Sequence, residues 1–198
     1  MELNIKLYVD YLCPFCFLTK FSFSEAVKNK NVKIEYIPFQ IPELDLNNDP
    51  FRKKMWNNIL KDISMNFGHE AKIPDIPNPK SKLAFEAYYF ADDHGKGNEF
   101  HNKVYEAFFE KGKDIGNIHV LSEIANEIGL DSDDIEQALK NRSYKDKEEK
   151  EFKKGKENNI DRIPTVIIGE TRVIGYKSKE FFQEVIEEEY QKLNLQSI

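Results

Sequence analysis

The sequence predicts an α/β fold in the order β-α-β, a long all-helical insertion, then β-β-α. Three observations carry this. Short β-rich runs occur only near the two ends, apolar residues recur at helical spacing through the middle, and Gly169-Glu170-Thr171 separates two β-rich runs near the C-terminus. Ile5, Leu7 and Val9 open the chain as a short strand. From Cys13 or Pro14 the period changes, and Phe17, Leu18, Phe21, Ala26 and Val27 recur as on a helix. Val32, Ile34 and Tyr36 then alternate with Lys33 and Glu35. A second strand therefore follows the helix, and a right-handed parallel crossover is the expected connection.

The middle is predicted helical throughout. Asp49-Pro50 caps a helix whose stripe is Phe51, Met55, Ile59 and Ile63, with Gly68 as its stop. A loop with Pro74, Pro77 and Pro79 leads to Ser81, expected to cap a helix carrying Leu83, Ala84, Ala87, Tyr88 and Ala91; Gly95 and Gly97 are expected to break it. A third helix carries Phe100, Val104, Ala107 and Phe108. Two short ones follow at Asn117 to Ile128 and Ser132 to Asn141, and a charged one at Tyr144 to Asn159. Within it, Lys145 to Lys156 is expected to be a solvated face. Thr165 to Ile168 and Arg172 to Ile174 form a hairpin, and Ser178 caps a last helix with Phe181, Phe182, Val185, Ile186 and Tyr190.

The chain has 198 residues, 40% of them hydrophobic, 32% charged and 13% aromatic. That is enough apolar material for a packed core and excludes a disordered chain. A net charge of -6 argues against a nucleic acid or an anionic membrane as a partner held by bulk charge. No apolar run approaches the roughly 18 residues that a membrane span needs. The start at Met1-Glu2-Leu3-Asn4 has no basic, apolar leader, so a cytoplasmic location is expected.

Chemistry concentrates at Cys13-Pro14-Phe15-Cys16. A strand-to-helix junction offers backbone N–H groups and the positive end of a helix, which favour a thiolate at Cys13, the expected nucleophile. Three residues on, Cys16 is one turn away and able to resolve a mixed disulfide. Pro14 suits the first helical turn, where its missing N–H has no acceptor to lose. Two cysteines make only half a zinc site, and His69, His94, His101 and His119 lack ligand spacing; surface or packing roles are expected for them and no metal is. Far along the chain, Ile163-Pro164-Thr165 places a proline at the start of a strand, where a cis bond is expected.

Together, the Cys-Pro-Phe-Cys motif after the first strand, the Ile-Pro-Thr before the Ile-Gly hairpin, Pro38-Phe39-Gln40 and the long insertion resemble the DsbA-like thioredoxin-fold proteins, in particular the FrnE-like branch of dithiol-disulfide oxidoreductases. The resemblance implies a thioredoxin-like domain at 1–42 and 155–198, interrupted by a helical lid at 43–154, with the site between the lobes. It implies that Cys13 attacks, that Cys16 resolves, and that Pro14, Phe15 and cis Pro164 support them. An extended substrate segment would pair with the backbone at Arg162 and Ile163. Those two residues replace smaller ones common in the branch, so a bulkier, more basic groove is expected.

Phe15 stands where the periplasmic oxidant has a histidine donor, and Asp10 adds negative charge nearby, so a less oxidising couple is expected. Leu7 occupies the position of that oxidant's buried acid. The expected partners are protein or small-molecule thiols and disulfides, glutathione among them, with no cofactor. Trp56, Phe85, Tyr88, Tyr89, Phe108 and Phe109 read as core rather than as a peptide groove. Two other functions are weighed against dithiol exchange: a glutathione-dependent isomerase or transferase of the 2-hydroxychromene-2-carboxylate isomerase or kappa type, whose members usually carry serine at the first position, and a non-enzymatic peptide-binding module.

Overall fold

The computed structural model describes residues 2–40 and 49–195. Its elements run β1 (Leu3–Val9), α1 (Pro14–Val27), β2 (Val32–Pro38), α2 (Pro50–Phe67), α3 (Lys82–Asp93) and α4 (Gly97–Tyr105), which passes into a π turn at Glu106–Glu110. Then come α5 (Ile118–Glu127), α6 (Ser132–Lys140), α7 (Lys145–Glu157), β3 (Thr165–Ile168), β4 (Thr171–Ile174) and α8 (Lys179–Leu195). This is the expected thioredoxin-like order with its helical insertion. The sheet order is β2-β1-β3-β4; β1 and β2 are parallel, and the other pairs antiparallel.

Strand alternation divides the sheet. Leu3, Ile5, Leu7, Val9, Val166, Ile168 and Val173 are buried in one core with Phe17, Phe23, Phe182 and Ile186 from α1 and α8. Phe23 and Phe182 meet edge to face at 5.4 Å. The opposite face carries Tyr8 and Ile37, packed with Ile160, Phe39, Ile163 and Ile167. There α7 comes so close that a Cβ on Gly155 would lie 3.2 Å from the Tyr8 ring. The charged helix is thus not simply a solvated face. Glu148 and Gly155 are buried, because a glycine and a hydrogen-bonded acid let it lie against the sheet.

The insertion is tied to the sheet by polar contacts as well as by packing. The Tyr36 N–H donates to the Tyr88 hydroxyl at 3.1 Å, and Gln40 Nε2 donates to Glu148 Oε1 at 2.7 Å. Within the insertion, Arg142 Nε spans both oxygens of the wholly buried Glu86 at 3.1 and 3.0 Å. The domain boundary at 154/155 falls inside α7, and the one at 42/43 lies outside the described residues.

The helix signals hold with two corrections. Asp49 Oδ1 accepts the Arg52 N–H at 2.9 Å, and Gly68 ends α2 in the left-handed region at φ 73°. Ser81 stands before α3 but makes no capping bond through its side chain, its backbone being already helical. Gly97 begins α4 instead of breaking a helix, and Gly95, at φ 72°, makes the turn. The hairpin turn is held from α8: buried Glu189 accepts from the Glu170 N–H at 3.0 Å and from Thr171 Oγ1 at 2.8 Å.

Candidate active site

Val9 ends β1, and the chain turns through Asp10-Tyr11-Leu12 into α1. Asp10 builds that turn. Its Oδ1 accepts the Leu12 N–H and its carbonyl the Cys13 N–H, each at 3.1 Å. Cys13 is the residue before the helix, at φ -91° and ψ 115°, with Pro14 as the first helical residue. Its side chain makes no capping bond to the helix.

Both cysteines are free thiols, and both are buried, Cys13 4% and Cys16 2% exposed. Burial pushes the Cys16 thiol well above its ordinary value, and the neighbouring Cys13 side chain and the charge of Asp10 add to this. Cys16 is therefore a thiol at neutral pH. Phe15, between them, is half-buried.

Register brings the distant proline segment to the same end of the sheet. Tyr8 pairs with Thr165, so the preceding step, Ile163-Pro164, lies beside the end of β1; its peptide bond is cis, as expected. The Gly175 N–H donates to the Pro164 carbonyl at 2.8 Å, and Thr165 Oγ1 donates to the Arg162 carbonyl at 2.7 Å. Ile163 is half-buried between the two cores. The Arg162 side chain is exposed, 3.6 Å from the exposed Asp161 carboxylate, so its charge is partly balanced by its neighbour. Phe39 joins the same end through its N–H, which donates to the Val9 carbonyl at 2.8 Å.

Three residues close to this site escape sequence reasoning: Tyr11, His101 and Tyr105. Tyr11 Oη lies 3.1 Å from His101 Nδ1, and the imidazole stacks on Tyr36 with ring centroids 3.4 Å apart. Burial, then the charge of Lys20, holds His101 well below its ordinary value, so it is neutral at pH 7. Burial, with smaller additions from neighbouring tyrosines and Asp10, pushes Tyr11 well up. With both groups neutral, one donates to the other across this contact. Tyr105 donates its hydroxyl to the Asp10 carbonyl at 3.2 Å. The i, i+4 spacing of His101 and Tyr105 puts them on one helix face, but no sequence signal says that this face meets residues 10–17.

Residues 4–187 match the family described as the DSBA-like thioredoxin domain. The chain belongs to the DsbA-like thioredoxin family. A relative, the uncharacterized protein YwbO of Bacillus subtilis (strain 168), is 38% identical over 199 residues, covering 97% of this chain and 100% of YwbO. Among solved structures, a 2-hydroxychromene-2-carboxylate isomerase superposes with a TM-score of 0.80 at 15% identity, over 98% of this chain and 99% of that one. The cytosolic disulfide reductase DsbM of Pseudomonas aeruginosa with GSH superposes with a TM-score of 0.66 at 13% identity, over 98% of each chain. At these identities the two structures show the fold alone. Among the described residues no helix is long and apolar enough to cross a membrane, and no group of three or more His, Cys, Asp or Glu is placed to hold a metal ion.

Proposed function

We propose that this protein is a thiol-disulfide oxidoreductase that exchanges disulfides with protein or small-molecule thiol partners, Cys13 attacking and Cys16 resolving. The observation that carries this is a pair of free thiols on neighbouring turns of a strand-to-helix junction, with Ile163-Pro164 at the same sheet end. The Cys13 thiolate attacks one sulfur of a partner disulfide, whose S–S bond breaks and whose other sulfur leaves as a thiolate and takes up a proton. Cys16 then gives up its proton and attacks Cys13 Sγ; the bond between Cys13 and the partner breaks, and the partner leaves as a second thiol. The partner has gained two electrons, and the chain holds a Cys13–Cys16 disulfide. Two equivalents of a monothiol such as glutathione, themselves oxidised to a disulfide, return it to the dithiol. Pro14 and Phe15 shape the approach to Cys13, and the backbone at Arg162 and Ile163 offers an edge for an extended partner segment.

We assign the protein to the FrnE-like branch on its Cys-Pro-Phe-Cys and Pro38-Phe39-Gln40 motifs, and to the cytoplasm, where a reducing thiol pool favours the reductive direction. The test is equilibration in graded glutathione buffers, with thiol trapping and mass spectrometry to quantify the Cys13–Cys16 disulfide. A reversible intramolecular disulfide, lost in Cys13→Ser, is expected; a wild-type chain that never forms it overturns the proposal. A second reading is favoured by the isomerase superposition: a glutathione-dependent isomerase or transferase. It requires saturable glutathione binding and catalysis that survive Cys16→Ser, whereas dithiol exchange does not.

A further inference from the structure

Helix α2 carries two stripes. Trp56, Leu60 and Ile63 are buried and face the core. On the opposite side Phe51, Lys54, Asn58, Lys61 and Met65 recur at alternating steps of three and four residues, the spacing of a coiled-coil seam. Phe51 is 79% exposed and Met65 64%, and neither joins a core cluster. Scattered apolar residues on a surface need no explanation, but a regular seam with one at each end does. The side chains of Lys54, Asn58 and Lys61 are exposed, with no ion pair or hydrogen bond among the described residues. Charge sets the helix apart as well. It holds Arg52, Lys53, Lys54 and Lys61 against Asp62 alone, a net +3 on a chain of net -6, and only Arg52 is paired, with Asp49 at 3.1 Å.

The order of the seam, apolar-Lys-Asn-Lys-apolar, selects its occupant. Two copies of α2 laid seam to seam, parallel or antiparallel, set lysine on lysine, which disfavours a second copy of this chain. A lipid surface takes a continuous apolar face, and Lys54, Asn58 and Lys61 interrupt this one. A nucleic acid is repelled by the rest of a chain whose net charge is -6. We propose that the outer face of α2 is a docking surface for a partner protein that presents an acidic amphipathic helix. Its carboxylates meet Lys54 and Lys61, and its apolar residues cover Phe51 and Met65. The other end of the contact is the dithiol helix: Phe67 of α2 stacks on Phe21 of α1, ring centroids 4.8 Å apart, so the partner lies alongside the helix that begins between Cys13 and Cys16.

The probe is a fluorescein-labelled, alanine-rich helical peptide with leucine, glutamate, glutamine, glutamate and leucine at the seam spacing; its control has lysine for both glutamates. Fluorescence anisotropy follows each peptide against the full chain. Saturable, salt-weakened binding of the acidic peptide is expected, loosened about tenfold in Phe51→Ser, the scale of one buried aromatic side chain. In Lys54→Glu/Lys61→Glu the preference is expected to reverse, with the lysine peptide now the tighter one. The substituted side chains are exposed, so melting temperatures are expected to hold; should the double variant fail to fold, Lys54→Gln/Lys61→Gln takes its place and is expected to abolish the preference. No binding at millimolar protein, or binding that these variants leave unchanged, overturns the proposal. Phosphatidylglycerol vesicles or a DNA duplex bound through these residues in place of the peptide, or a dimer that Phe51→Ser disperses in sedimentation, overturns it too. The peptides contain no cysteine, so the result stands whether or not Cys13 and Cys16 form a disulfide.

Discussion

Gly169 sits at the first turn position of the β3–β4 hairpin with φ 55°, and a Cβ there would collide with Glu189 Oε2 and lie 3.1 Å from its Cδ. In Gly169→Ala Oε2 must therefore swing away from the Glu170 N–H, which it holds at 3.0 Å. The left-handed backbone costs an alanine about 1 kcal/mol. Losing one charge-assisted hydrogen bond adds about 1.5 to 3 kcal/mol, so a loss of roughly 3 kcal/mol is expected. In a Glu189→Ala background the collision and the bonds are both gone, and only the backbone cost of about 1 kcal/mol remains. The two positions should thus couple by about 2 kcal/mol in a double-mutant cycle. Urea unfolding of the four proteins, followed by far-ultraviolet circular dichroism, measures it. Equal costs of Gly169→Ala in the two backgrounds would refute the reasoning.

Three further outcomes are expected. Because burial depresses His101 below its ordinary value of 6.5, the folded chain binds fewer protons than the unfolded one; stability is complete above that value and lost as pH falls through it. Urea midpoints from pH 7.5 to 5 should fall in the wild type and lose much of that slope in His101→Phe; parallel slopes would contradict it. In the native chain at pH 7, iodoacetamide should label Cys16 far more slowly than in urea, since burial pushes its thiol well above its ordinary value and leaves almost no thiolate; equal rates in the native and urea-unfolded chain would show that shift to be wrong. Arg142→Ala strips the guanidinium from buried Glu86 and, tempered by the partial exposure of Arg142, should cost about 2 kcal/mol. An unchanged urea midpoint would mean that this pair holds nothing together.

The strands, helices and hairpin were legible because each rests on local physics: a two-residue or 3.6-residue apolar period, Asp49 before Pro50, and glycines such as Gly68 and Gly169 where left-handed backbone is needed. The dithiol was legible for the same reason, since Cys13, Pro14 and Cys16 lie within one turn of a junction that the period change already marks. The expected cap at Ser81 failed because the backbone there was already helical, leaving the hydroxyl no place in the cap. Only tertiary structure decided that Tyr105, some ninety residues from the cysteines, would donate to the Asp10 carbonyl; that His101 would be buried neutral against Tyr36; and that Glu148 and Gly155 would let a highly charged helix lie on the sheet. These contacts join segments with no shared period, and their worth comes from burial, which strengthens a hydrogen bond and penalises an unpaired charge. Spacing along a chain specifies which residues share a face, but which face meets which is fixed only when the whole core closes.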